Sequence, residues 1–439
     1  MAGGRRLPEL GQIGDEGVLR RAQSTAAAKR RVLRRPPHLG GPRLLIYSQD
    51  GLGLGHLRRT SALAAEFLRS RPDACVLTVS DSPLGTFFGV VPNQDYLKLP
   101  SLVKSGPGAW DPVSLPLSSA ELFGLRRDLI SSVSASFRPD IVLVDHMPHG
   151  ARGELMPTLE ALRHTSAYVV LGLRDILDAP EVVQRTWREE GAYDAVEQFY
   201  DMVLVYGSQD VFDVARQYGW SRPSVDILEY CGYVCAPAVG RRARRIRARA
   251  LGGKPDGRLI VAMAGGGADA YPMMDALLDG LGDLNDTEPS ALILITGPFM
   301  PANQRRNLMA RTQGLPAQVR TSVSDVPSYI DAADVVVGMA GYNTTAEVLR
   351  SGTPAVLVPR RGPSAEQRMR ASLFGERGWV HVVDHDDLSA STLAAAVDKA
   401  GVSPAAAVGP QLGGLEVAVG HLLSLVEDAA MPPSALLGV

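Results

Sequence analysis

The sequence has little of what would take it out of the ordinary globular class. Only three of its 439 residues are cysteine: Cys75, Cys231 and Cys235. That usage fits a reducing cytosol. Cys231 and Cys235 have no further ligands nearby, so buried thiols are expected there rather than a metal site. No apolar run approaches the roughly 20 residues of a spanning helix. The N-terminus has no apolar signal-peptide core. A cytoplasmic location is expected, with any membrane contact peripheral, at the inner face. The net charge is only −2, which gives no global reason to expect nucleic acid as a partner. No grouping of His, Cys and acids has ligand spacing, so no metal is expected.

Charge is uneven along the chain. The first 43 residues hold ten Lys or Arg against three acids, giving +7, so the remainder carries −9. Residues 1–42 read as a disordered basic tail. From Arg43 the pattern is ordered. RLLIYSQDGLGLGHLRRTSALAAEFL is a short apolar strand, a glycine loop and an apolar-faced helix. About 215 residues later the same pattern returns as RLIVAMAGGGADAYPMMDALLDGL. Two such starts predict an α/β chain of two tandem Rossmann-like domains with parallel sheets. The boundaries expected are 43–235 for the first domain, 236–257 for an arginine-rich linker and 258–412 for the second domain. A terminal helix is expected in 413–439. Within the first domain, the stretch from Asp95 to Pro116 reads as loop. Single helices are expected over Gly153–Arg163, Pro180–Phe199 and Asp210–Tyr218.

The stretch Val335–Ala371 organises the second domain. A β-branched strand (Val335–Val337) leads to Gly338 and Gly341, which are expected to turn the backbone sharply. Asn343, Thr344 and Thr345 are good helix-start residues, and Gly352 and Pro354 end that helix before a second strand. Donors converging on a helix N-terminus make a ready place for phosphate, although glycines in a plain βαβ unit would read alike. Gly265-Gly266-Gly267 follows a strand and precedes a helix, a second candidate cradle. Gly51-x-Gly53-x-Gly55-His56 does not have dinucleotide spacing, and Asp81 is only an approximate match for the acid such a site requires. Asp145, His146 and His149 sit at a strand's C-terminal end, where open α/β sheets bind ligands. They are candidates for acceptor contact or a base. Arg174 and Asp175 hold the same kind of position, with a structural ion pair between them as the plainer reading. Arg58 and Arg59 are read either as a solvated helical turn or as phosphate contacts. Asp384–Asp387 could pass for a metal-binding Asp-x-Asp but is expected to cap the next helix.

Gly341, Thr344, Glu347, Gly352, Pro354, Val356–Pro359 and Gln367 occur in the order seen in the third glycine-rich segment of the glycosyltransferase 28 family. The chain resembles that family. Its best-known member completes the lipid-linked peptidoglycan precursor. The Tyr47–Arg59 stretch, YS-x-D-x-x-GLGHLRR, is similar to an uncharacterised bacterial branch of predicted glycosyltransferases. The resemblance implies a GT-B fold, in which the terminal helix in 413–439 would cross back onto the first domain, and an inverting transfer from a nucleotide-diphosphate sugar, with uridine as base, to an acceptor hydroxyl. It implies no metal and no cofactor beyond the donor. Glu347 would accept hydrogen bonds from the ribose, and Glu366 and Gln367 would hold the sugar. The amides of Gly265, Gly266 and Gly267 would face the donor phosphates, and the backbone near Val323 the base. Gly341, Asn343 and Thr344 would complete that site. Gly55 and His56 would face the cleft from the acceptor domain. There His56 would act as base or hydrogen-bond the donor, with Asp145 and His146 as the other candidates. A nucleotide-sugar epimerase and a non-catalytic nucleotide-sugar-binding protein remain alternatives.

Overall fold

The computed structural model describes residues 40–49, 55–82, 91–106, 109–235, 242–253, 256–403 and 409–430. The basic tail up to residue 39, Gly51 and Gly53 of the first glycine loop, and Lys254-Pro255 lie outside them.

Two parallel sheets organise the chain. The first comprises β1 (Arg43–Ser48), β2 (Cys75–Ser80), β3 (Gln94–Lys98), β6 (Ile141–Asp145), β7 (Tyr168–Arg174), β8 (Met202–Tyr206) and β9 (Leu228–Tyr230), in the order β3-β2-β1-β6-β7-β8-β9. β4 (Leu102–Gly106) and β5 (Ala109–Pro112) form a separate antiparallel pair. The second sheet comprises β10 (Arg258–Met263), β11 (Ser290–Ile295), β12 (Ala317–Arg320), β13 (Val335–Gly338), β14 (Ala355–Leu357) and β15 (His381–Val382), in the order β12-β11-β10-β13-β14-β15. In both sheets the chain runs outward from the first strand, then returns to its other side. The reversals lie between β1 and β6 and between β10 and β13, and ligands bind at the carboxyl ends of such switch points.

The central strands are buried on both faces, which is why they read as continuous apolar runs. In β1, Leu44 and Ile46 pack with Leu63 and Phe67 of the helix Gly55–Ser70, while Leu45 and Tyr47 pack with Ile130 and Leu159 on the other face. The first of these clusters continues through Cys231, Tyr233, Tyr342 and Leu422 into the second sheet's Leu259 and Val261. One apolar core therefore joins the two halves. The helix Gly414–Ala430 buries Leu415, Ala418, Val419 and Leu422 in that cluster and packs on the helix Gly55–Ser70 and β8. No described helix is long and apolar enough to cross a membrane.

Several local expectations are corrected. Asp95–Pro116 is not loop throughout, since it holds β3, β4 and β5. β3 is a half-exposed edge strand of sequence QDYLK, whose polar residues hide the strand signal. The single helix expected over Pro180–Phe199 is two, Pro180–Glu189 and Ala192–Phe199, broken where Gly191 takes a left-handed φ of 70°. The helix over Gly153–Arg163 starts only at Met156, after a short 3₁₀ turn, and the one over Asp210–Tyr218 shrinks to Val214–Gln217. The arginine-rich segment forms a helix, Ala243–Ala250, with no buried residue.

Candidate active site

A cavity of about 450 Å³ lies between the two halves, lined by His56, Arg58 and Arg174 on one side and by Gly265–Gly267, Phe299, Val323 and Asn343 among others on the second. Its floor follows from strand register. Ser48 at the end of β1 lies level with Asp145 at the end of β6, and Met263 level with Gly338. Both switch points therefore open into the same space.

On the first side, the helix Gly55–Ser70 places His56 and Arg59, three residues apart, on one face. His56 Nδ1 lies 2.5 Å from Asp145 Oδ2. Arg59 donates from Nη2 to both carboxylate oxygens of Asp145 at 2.8 Å, and from Nε to Oδ1 at 3.2 Å. Asp145 is fully buried, and the Arg59 side chain is 1% exposed. Burial alone would raise the Asp145 carboxyl, but Arg59 and His56 outweigh it and hold it well below the usual carboxylate range. Arg59 Nη2 also lies 3.0 Å from His56 Nδ1. The shorter contact to an ionised carboxylate assigns the proton to Nδ1, leaving the Nε2 lone pair for a substrate. Asp145 therefore orients His56 rather than standing free as a base. His146 packs its ring 5.1 Å from that of His56. Its Nδ1 is buried with no hydrogen-bond partner, and desolvation followed by the Arg174 charge pushes its pKa well below the usual histidine value. His146 also lines a second cavity of about 610 Å³ in the first half, with Trp110, Met147, Arg152, Trp187 and Glu190. His149 lies there too, its Nδ1 2.8 Å from the Gly150 carbonyl and its Nε2 3.6 Å from Glu190.

On the second side, Gly265 and Gly267 take left-handed φ values of 56° and 94°. A Cβ on Gly267 would sit 1.9 Å from the Thr296 carbonyl oxygen, so only glycine fits where this loop meets the turn after β11. Neither Gly338 nor Gly341 has a positive φ. At Gly338 the requirement is space, since a Cβ would stand 3.3 Å from Thr344 Cγ2. Gly341 is the N-cap of the helix Tyr342–Ser351 and supplies no side-chain cap. Asn343, Thr344 and Thr345 thus lie inside the first turn, and the positive end of this helix faces the cavity through Gly341–Thr344. Asn343 Nδ2 donates to the Gly55 carbonyl across the cleft at 2.8 Å.

The acidic residues of this side are engaged by arginines of the other. Glu347 is buried behind the cavity wall, with Oε1 2.6 Å from Arg58 Nη2 and no partner on Oε2. Burial raises its carboxyl despite Arg58. Glu366 Oε1 accepts from Arg174 at 2.6 Å and from Arg370 at 2.8 Å. Burial would raise Glu366 too, but Arg174 and Arg370 bring it down to about 2. Arg370 reaches on to Asp175, 3.3 Å away. The expected Arg174–Asp175 pair is therefore replaced by two pairings across the cleft. Gln367 lines the cavity and accepts from the Arg360 amide at 3.1 Å. Val323 lines it from the loop after β12.

Three other acids resolve as structural. Asp81 is buried 3.4 Å from Arg126, itself fully buried against Glu154, so it does not present a ribose acceptor. Asp384 caps a 3₁₀ turn, His385–Asp387, while the cap of the following helix is Ser389 rather than an acid. Asp386 pairs with Arg361. Among the described residues no three His, Cys, Asp or Glu side chains group as metal ligands.

Residues 260–407 match the glycosyltransferase family 28 C-terminal domain. The UDP-N-acetylglucosamine–N-acetylmuramyl-(pentapeptide) pyrophosphoryl-undecaprenol N-acetylglucosamine transferase of Bacillus licheniformis is 29% identical over 147 residues, 33% of this chain and 40% of that one. The chain thus spans well under half the length of that relative. The protein of the same name from Geobacter sp. strain M21 is 28% identical over 357 residues, 80% of this chain and 86% of that one. In structure, MurG of Acinetobacter baumannii superposes with a TM-score of 0.53 at 14% identity, over 88% of this chain and 100% of that one. A putative UDP-N-acetylglucosamine 2-epimerase from Listeria monocytogenes superposes with a TM-score of 0.58 at 14% identity, over 90% and 99%. The chain has the GT-B fold, and its residues 260–407 are similar to the glycosyltransferase family 28 C-terminal domain.

Proposed function

We propose that this protein is an inverting glycosyltransferase that moves a sugar from a uridine diphosphate sugar to an acceptor hydroxyl, without a bound metal. The observation that carries the reading is the His56–Asp145 pair at one wall of a cleft whose other wall is a glycine loop and a helix N-terminus without a side-chain cap. In this reading His56 Nε2 takes the acceptor proton as the acceptor oxygen bonds to the anomeric carbon. The electron pair of the breaking C–O bond passes to the diphosphate. The amides of Gly265–Gly267 and of the first turn at Tyr342 then stabilise that charge, a role that preorganised dipoles fill in a water-poor cleft. Glu347 receives the ribose, Gln367 with Arg360 the sugar, and the Val323 loop the base. The acceptor enters from the first half, where the cavity beside His146 adjoins His56. Uridine comes first because the relatives' names specify a UDP-sugar donor. The protein works in the cytoplasm or at the inner membrane face.

The test is release of uridine diphosphate from UDP-sugars across a panel of hydroxyl acceptors. General base catalysis typically contributes about 10²–10⁴ in rate. His56→Ala is expected to keep donor affinity and lose kcat by that order. Near-wild-type kcat and KM in His56→Ala would refute the assignment. The epimerase superposition supports a second reading, conversion of the nucleotide sugar alone. Isomerisation of the donor with no acceptor present would favour it over transfer.

A further inference from the structure

We propose that Arg58 exchanges partners when donor binds. In the free protein it neutralises Glu347. In the donor complex the ribose takes Glu347, and the Arg58 guanidinium turns to the diphosphate. The inference rests on Glu347 being the ribose acceptor.

Arg58 lines the cleft cavity, whereas Glu347 is not among its wall residues. The guanidinium, 2.6 Å from Oε1, thus stands between the carboxylate and the space the nucleotide would fill. The second oxygen, Oε2, is buried without a partner. A vicinal diol offers two O–H donors to a carboxylate with one oxygen vacant and the other held by a side chain that is 20% exposed. The exchange strands neither group. Glu347 trades a guanidinium for two hydroxyls, and Arg58 trades a carboxylate for a phosphate, an anion its planar fork also matches. The neighbouring guanidiniums are held differently. Arg59 is locked on buried Asp145, and Arg174 on Glu366, which Arg370 also engages. Neither of those carboxylates has the ribose as its assigned ligand. Arg58 is the guanidinium that the ligand itself would release, into the cavity that also carries Gly265–Gly267. The same arginine would then neutralise the leaving diphosphate as it gains charge.

The test compares calorimetric titrations of uridine and uridine diphosphate into wild type, Arg58→Gln and Arg58→Lys, with folding checked by circular dichroism. Arg58→Gln is expected to bind uridine as tightly as wild type or more tightly, and uridine diphosphate at least about tenfold more weakly. Arg58→Lys, which keeps the charge, should fall between. Equal weakening of both ligands would make Arg58 a clamp between the domains and overturn the exchange, as would unchanged uridine diphosphate affinity. Should Arg58→Gln not fold, Arg58→Lys carries the same comparison. Wild type binding neither ligand would instead remove the donor-site reading, and the exchange with it.

Discussion

Asp145→Asn separates the structural and chemical roles of one buried carboxylate. The substitution keeps shape but removes the charge facing Arg59, whose side chain is 1% exposed. Breaking a buried pair by neutralising one partner costs about 3–5 kcal/mol, because the other charge stays buried and uncompensated. At about 2–4 °C per kcal/mol for domains of this size, Tm should fall by about 6–20 °C. The sign with pH follows from the depressed Asp145 value. A carboxylate whose folded pKa is lowered contributes stability above its unfolded value of about 3.9, and loses it as pH falls toward the folded value. The deficit of Asp145→Asn should therefore be full near neutrality and narrow below about pH 4. Adding Arg59→Met should restore most of the lost stability, since an apolar replacement of a buried ion pair is often neutral. It should not restore turnover, because His56 still lacks the carboxylate that orients it. Differential scanning calorimetry across pH, with kcat measured on each variant, reads both effects. Wild-type Tm and kcat in Asp145→Asn would refute the reasoning, as would recovery of kcat in the double variant.

Gly267→Ala should cost about 1–3 kcal/mol, the usual price of a left-handed non-glycine residue, and weaken uridine diphosphate binding, because its Cβ would strike the backbone of Thr296. Gly265→Ala meets nothing within 4 Å and should be milder in thermal denaturation. Transfer should survive EDTA, since Asp384 and Asp386 are engaged in a cap and an ion pair. Loss of activity in EDTA with rescue by Mn²⁺ or Mg²⁺ would contradict the metal-free proposal.

The GT-B architecture was legible because β1 and β10 are near-continuous apolar runs, each followed by glycines and an apolar-faced helix. His56 was read as a cleft residue, whereas Arg59 was read with Arg58 as a solvated turn or a phosphate contact and is instead locked on buried Asp145. What pairs with them was not legible. Asp145 lies 89 residues away, and only the β1–β6 register brings it level with the end of β1. The bridges from Arg58 to Glu347 and from Arg174 to Glu366 cross between halves, so neither local pattern nor propensity carries them. β3 was missed for a different reason. An edge strand with polar residues has no apolar alternation to read.

Calorimetric titration of uridine diphosphate into wild type and Glu347→Ala tests the donor-site assignment most directly. Hydrogen bonds to a charged group contribute roughly 1.5–3 kcal/mol each, so loss of even one of the two to the carboxylate should weaken binding by at least about one order of magnitude. Wild type at 100 times its Kd should be stabilised by about 2.7 kcal/mol. No binding by wild type, or unchanged affinity in folded Glu347→Ala, would contradict the account.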